Sequence, residues 1–190
     1  VAGQAAFSGR AGGVHELLGQ EADESCGAVG RRVAAGVGDG PGAGVAGWMW
    51  RPVLARLPGV SAWVPDLPGH GLSAAEPFLG QDATVDELAG LLTQPTVVVG
   101  FSWGAQLAVE LTARHPERVA GSVIVSGLAR PLALAPLLDP LIAATLPLAR
   151  SARFARLQGR SMGVPDALLA DFVATSRDAD PGSVARIIAA

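Results

Sequence analysis

Short apolar runs alternate with amphipathic ones from Trp48 onward, and the residues before Gly40 show no such order. Thr96 to Gly100 is β-branched and apolar, the make-up of a buried strand. Ala105 to His115 then reads as an apolar-rich helix stopped by Pro116, and Val119 to Val125 as the next strand. Upstream, Trp50 to Leu57 reads as a short helix and Val60 to Val64 as a strand. Thr84 and Glu87 stand at capping-box spacing and predict a helix from there through Leu92. This alternation predicts the α/β class, with a mostly parallel sheet flanked by helices. Beyond about Leu128 the pattern is helical and punctuated by proline. Val1 to Gly40 holds ten glycines and no convincing strand; its best helical candidate is Val14 to Leu18, and it is expected to be poorly ordered. The expected divisions are a Gly/Ala-rich head at 1–40, a core at 41–127 and a helical region at 128–190.

Composition narrows the classes. A chain of 190 residues can bury one core, so one folding unit is expected. The net charge of -3, without a basic run, gives no reason to expect nucleic acid or an anionic membrane surface as partner. Cys26 is the single cysteine, which excludes an intrachain disulfide and a cysteine metal cluster. The start of the chain lacks the charged-then-apolar pattern of a signal peptide, and a cytoplasmic location is expected. The apolar stretch from Pro131 to Leu148 is broken by Asp139 and by prolines, which argues against a spanning helix. Lysine, asparagine and tyrosine are absent while alanine, glycine and arginine abound, the mark of GC-rich coding DNA. The head is what an out-of-frame reading of such DNA would look like.

The chemistry concentrates at Gly100-Phe101-Ser102-Trp103-Gly104, between the strand and the helix. A serine between two glycines at such a junction is the layout of a nucleophile elbow: the sharp turn lifts the hydroxyl clear of the sheet, and Gly100 and Gly104 leave room for strand and helix to pack. About thirty residues upstream, Asp66-Leu67-Pro68-Gly69-His70-Gly71-Leu72-Ser73 follows a short strand. This string resembles the D-x-P-G-x-G-x-S loop of the α/β-hydrolase superfamily, and the two motifs in this order resemble that family over roughly residues 41–190. The resemblance implies an α/β-hydrolase fold with a partial helical cap from about residue 128. Leu137, Leu138, Leu141, Ile142, Phe154, Leu157, Leu168, Leu169 and Phe172 are candidates for the cap's inner face. Most of these are expected to pack the cap on the core.

The resemblance also implies a mechanism in which Ser102 attacks an ester, amide or related acyl bond of a small-molecule substrate. A histidine must take the serine's proton and a carboxylate must orient that histidine. Two N–H donors must hold the oxyanion, each worth about 3 kcal/mol of barrier. By resemblance one is the backbone N–H of Trp103; the other falls to Ala43, in Pro41-Gly42-Ala43-Gly44, where proline stands in place of the family's histidine and Val33 to Gly40 makes a poor strand ahead of it. His70 and Phe101 are candidate pocket residues. No cofactor and no metal are implied, and no phosphate-binding Gly-Lys-Ser or Gly-Lys-Thr follows Gly42 to Gly47. Serine at the elbow argues against the dehalogenase branch, which uses aspartate, and Ser-Trp-Gly also resembles the elbow of proline iminopeptidases.

The base and its acid find no assignment. His115 ends the helix after the elbow, where the helix dipole favours it, His70 lies in the glycine loop, and His15 is in the head. Asp166, Asp171, Asp178 and Asp180 fall in the cap, where helix capping or solvent exposure is expected. The sequence therefore reads as truncated before the family's catalytic Asp and His. Three readings stay open: a serine hydrolase, a catalytically inactive fragment or pseudoenzyme, and a non-enzymatic assembly partner that pairs through an exposed sheet edge after Val125.

Overall fold

A computed structural model describes residues 14–18, 32–37, 45–58, 60–127, 148, 150–179 and 182. Its strands are β1 (Val14–Leu18), β2 (Arg32–Val37), β3 (Ser61–Pro65), β4 (Thr96–Phe101) and β5 (Val119–Val125), joined in one sheet of order β1-β3-β2-β4-β5. Only β1 runs antiparallel to its neighbour; the other pairs are parallel. The helices are α1 (Arg51–Leu54), α2 (Gln81–Leu91), α3 (Trp103–Arg114), α4 (Ala152–Ser161) and α5 (Leu169–Asp178).

The first two strands correct the sequence reading. Val14–Leu18 is not helical but pairs with β3, Val14 opposite Pro65. Arg32–Val37 is a strand set between β3 and β4, with Gly36 opposite Gly100 and Val37 opposite Phe101. Ala34, Ala35 and Gly36 carry little apolar periodicity, so the segment has weak strand propensity of its own. Its place comes from backbone pairing on both sides.

β4 shows the period of two that puts alternate residues on opposite faces. Val98 enters a cluster with Val85, Ala89 and Leu92 from α2 and its end, and with Leu107, Ala108 and Leu111 of α3. Val99 and Phe101 turn the other way, toward Trp50 and Val64. Leu107 and Leu111 are almost wholly buried, and burial of each stabilises the fold by about 1.5–3 kcal/mol. The elbow strand and helix are thus gripped from both faces of the sheet.

α2 begins earlier than the capping box predicts. Gly80, at φ 119°, precedes its first residue, and Thr84 lies inside the helix, donating its hydroxyl to the Gly80 carbonyl at 3.0 Å. Thr84 is four residues too deep to act as the cap, so it back-bonds to the preceding turn instead.

At the other end of the sheet, β5 is an edge among the described residues, and Val123, Ile124 and Val125 are 40–48% exposed. Toward the C-terminal end, α4 and α5 meet at Gly159, where an added Cβ would stand 2.8 Å from Leu169 and 2.9 Å from Phe172. Phe172 and Leu169 are buried there, Phe154 and Leu168 are half-buried, and Leu157 points into solvent at 68% exposure. Leu137, Leu138, Leu141 and Ile142 lie outside the described residues. No helix among the described residues is long and apolar enough to cross a membrane.

Candidate active site

Ser102 sits between the end of β4 and the first turn of α3 with φ 54° and ψ -118°. Those angles are near the first central position of a type II′ turn, which L-residues with a Cβ rarely adopt. Gly100 allows the turn to close: a Cβ there would lie 2.1 Å from the Gly104 carbonyl oxygen and 2.7 Å from the Ala105 Cα. The Ser102 N–H donates to the Val125 carbonyl at 3.0 Å, so the end of β5 also anchors the elbow. Ser126, the residue after Val125, has φ 55° and is the other non-glycine position at positive φ among the described residues, unforeseen in the sequence. Phe101 is half-buried beside the turn.

Trp103 follows as the first residue of α3, so its backbone N–H is one of the donors that a helix start leaves without an intrahelical acceptor. Its side chain is locked. The indole N–H donates to Gln81 Oε1 at 3.4 Å, Phe78 meets the ring edge-on at 5.4 Å, and the His70 ring lies 6.4 Å away. Gln81 in turn donates from its amide nitrogen to Glu110, tying the first turn of α2 to α3. Buried packing of this kind fixes where the Trp103 backbone stands.

His70 is 3% exposed, and its Nδ1 lies 3.0 Å from the Pro68 carbonyl. A carbonyl accepts only, so this contact requires Nδ1 to carry a proton. The pocket assignment of His70 thus lands beside the indole of Trp103. The D-x-P-G loop itself is organised by Asp66, whose carboxylate accepts the Gly47 N–H at 2.7 Å and the Leu72 N–H at 2.9 Å. Its backbone carbonyl accepts the Ser73 hydroxyl at 2.7 Å. Asp66 is 4% exposed, and this bridge between Gly47 and the loop has no signal in the sequence beyond the motif.

Partial desolvation, and secondarily the neighbouring Glu76 carboxylate, raise Glu87 from the ordinary carboxylate value although the residue is exposed. Glu76 and Glu87 line a cleft of about 540 Å³ with Asp66, Pro68 and Leu88. Among the described residues, no three His, Cys, Asp or Glu stand together as a metal site requires.

The histidines and aspartates of the remaining sequence candidates go elsewhere. His115 follows α3 at its far end, thirteen residues from Ser102, or about 20 Å at 1.5 Å per residue. It lies 3.5 Å from Asp86. His15 is on β1, three strands from β4, about 14 Å at the usual strand spacing. Asp171 pairs with Arg51, and Asp166 and Asp178 are exposed. Ala43 and Asp180 lie outside the described residues.

The family model described as "Alpha/beta hydrolase family" matches residues 40–188. A pimeloyl-[acyl-carrier protein] methyl ester esterase of Chromobacterium violaceum is 44% identical over 61 residues, 32% of this chain and 24% of that protein. Lipase LipV of Mycobacterium tuberculosis is 39% identical over 83 residues, 42% of this chain and 32% of the lipase. The matched stretches thus span only about a quarter to a third of these curated relatives. Among solved structures, E-2-(acetamidomethylene)succinate hydrolase superposes with a TM-score of 0.68 at 19% identity, covering 93% of this chain and 69% of that one. A hydrolase from Pseudomonas aeruginosa gives 0.67 at 18%, covering 86% and 65%.

Proposed function

Because the chain belongs to the alpha/beta hydrolase family, we propose that it carries the nucleophile and oxyanion elements of a serine hydrolase, with Ser102 forming an acyl-enzyme. The observation that supports this most directly is the backbone of Ser102, held at φ 54° between β4 and α3. Strain of that kind persists only where the surrounding structure enforces it, and it is characteristic of functional positions. Ser102 Oγ attacks the carbonyl carbon and gives its proton to a general base, the carbonyl electron pair moves onto oxygen where the Trp103 N–H receives it, and the protonated base then hands the proton to the leaving alkoxide. Ala43 is the proposed second donor. Collapse of the intermediate expels the leaving group, and water then releases the acid. The two relatives named above are an esterase and a lipase, which favours a carboxylic ester over an amide as the substrate bond.

The proposal assigns the proton-accepting base to none of the three histidines and names no orienting acid. A second reading follows from the placement of His115 and His15, each far from Ser102: the 190-residue chain binds an acyl compound without turning it over. Incubation with a fluorophosphonate probe, read by intact mass and peptide mapping, separates the two. Labelling confined to Ser102 and lost in Ser102→Ala supports the hydrolase. An unlabelled chain that still binds an ester analogue supports the second reading, and labelling that survives Ser102→Ala refutes the nucleophile assignment.

A further inference from the structure

Ser126 follows β5 as Ser102 follows β4. The two strands run parallel with Phe101 opposite Val125, so the serines take the next position on each strand and are neighbours in the sheet. Adjacent strands lie about 4.8 Å apart. One hydrogen bond spans the gap, from the Ser102 N–H to the Val125 carbonyl at 3.0 Å. Both serines stand at the carboxyl ends of parallel strands, the side of an open α/β sheet on which ligands bind.

The pair also shares an unusual backbone. Ser102 has φ 54° and Ser126 φ 55°, and no other non-glycine residue among those described is at positive φ. The turn after β5 does not itself call for a serine. Glycine takes such a φ with less strain, and the chain places a glycine one residue later, at Gly127, which is not at positive φ. Gly127 meets a different need, since a Cβ there would stand 3.2 Å from the Ala105 Cβ of α3 and 3.0 Å from Ile124. Glycine thus stands where α3 comes close, and serine where the backbone is strained. Ser126 is exposed, and its hydroxyl makes no hydrogen bond among the described residues. A strained residue whose polar group the fold leaves unused is a candidate for contact with a ligand.

We propose that Ser126 is a substrate-contacting residue beside Ser102, its hydroxyl donating to an oxygen on the acyl substituent. A substituent of about two or three bonds from the acyl carbon covers one strand spacing. The site therefore favours esters of hydroxy, alkoxy or keto acids, which carry an oxygen at that reach, over esters with a plain alkyl chain. The acyl group on Ser102 rests on the serine-hydrolase reading, and the contact at Ser126 is tested apart from it.

Two fluorophosphonates that differ only in a butyl or a 2-methoxyethyl group on phosphorus make the test, the second having an ether oxygen in place of one methylene. Reaction at Ser102 is resolved into probe affinity and maximal rate. The ratio of affinities, ether to butyl, is expected to fall about 2- to 10-fold in Ser126→Ala and Ser126→Gly, the range for one lost hydrogen bond, with the butyl affinity unchanged. Ser126→Gly relieves the strain and keeps the test open where Ser126→Ala lowers stability. Ser126→Asn tolerates positive φ and keeps a donor, so it is expected to retain the ratio. An equal ratio in parent, Ala and Gly variants overturns the contact and leaves Ser126 a turn residue. A ratio that falls equally in all three variants overturns the hydrogen bond as its cause. A parent inert to both probes removes the hydrolase reading instead. Calorimetric binding of the two corresponding phosphonate methyl esters, which need no nucleophile, then decides the Ser126 contact on the same ratio, and binding of neither overturns it.

Discussion

Replacing Gly100 by alanine adds one methyl group where the backbone leaves no room for it. The new Cβ would stand 2.1 Å from the Gly104 carbonyl oxygen, 2.5 Å from its carbon and 2.7 Å from the Ala105 Cα. All three are backbone atoms at the start of α3, so no side chain can swing away. Comfortable non-bonded contacts lie near 3.5–4.0 Å, and the first turn of α3 would have to retreat by roughly 1.5 Å. That turn is held by Leu107 and Leu111 in the core and by the Ser102 N–H on β5, so the retreat breaks packing on two sides. Overpacking of a core typically costs about 1–3 kcal/mol, and a backbone clash belongs at or above the top of that range. A loss of about 3 kcal/mol would lower the melting temperature by roughly 6–12 °C in a chain of this size. Gly90→Ala is the matched control. An added Cβ meets nothing within 4 Å there, inside α2, so the same chemical change is expected to stabilise by about 0.5–1 kcal/mol. Thermal unfolding followed by circular dichroism measures both. A Gly100→Ala melting temperature within about 2 °C of the parent would refute the argument.

Two other substitutions probe the same region. Ser102→Gly relieves backbone strain of about 1–3 kcal/mol while giving up about 0.5–1 kcal/mol of chain entropy. It is therefore expected to be more stable than Ser102→Ala in urea unfolding, a ranking that ordinary positions reverse. Glu87, raised by partial desolvation and by Glu76, binds its proton more tightly folded than unfolded, so its carboxyl favours the fold below the unfolded value and loses that contribution as pH rises through the folded one, an effect kept small by its exposure. Glu87→Gln is expected to raise the melting temperature at neutral pH, with the gain shrinking as pH falls into the carboxylate range. A gain independent of pH would count against the cause given.

What the sequence made legible is what is local. β4, the elbow and α3 are contiguous, so one apolar run, two glycines and one amphipathic run suffice to place Ser102. β2 was not legible. Arg32–Val37 has no pattern of its own, and its place depends on Val97–Phe101, some 65 residues later. The start of α2 was misplaced because Thr84 and Glu87 satisfy a capping spacing that the backbone does not use, Gly80 at positive φ having already begun the helix. At the site, the Pro-Gly loop was visible, but the work of Asp66 was not, since its partners Gly47 and Leu72 are backbone groups carrying no sequence mark. The pairing of Arg51 with Asp171 of α5 spans most of the chain and leaves no trace in either segment.

The strained backbone at Ser102 also bears on inheritance. Glycine would occupy φ 54° and ψ -118° with less strain, and one substitution takes a serine codon of the AGC or AGT type to a glycine codon. A lineage with no use for the hydroxyl would therefore gain stability by drifting to glycine at this position. Sequencing the same locus across related strains turns that into a clock: serine retained while synonymous sites diverge marks selection for the oxygen atom, and a spread of glycine marks a gene released from it.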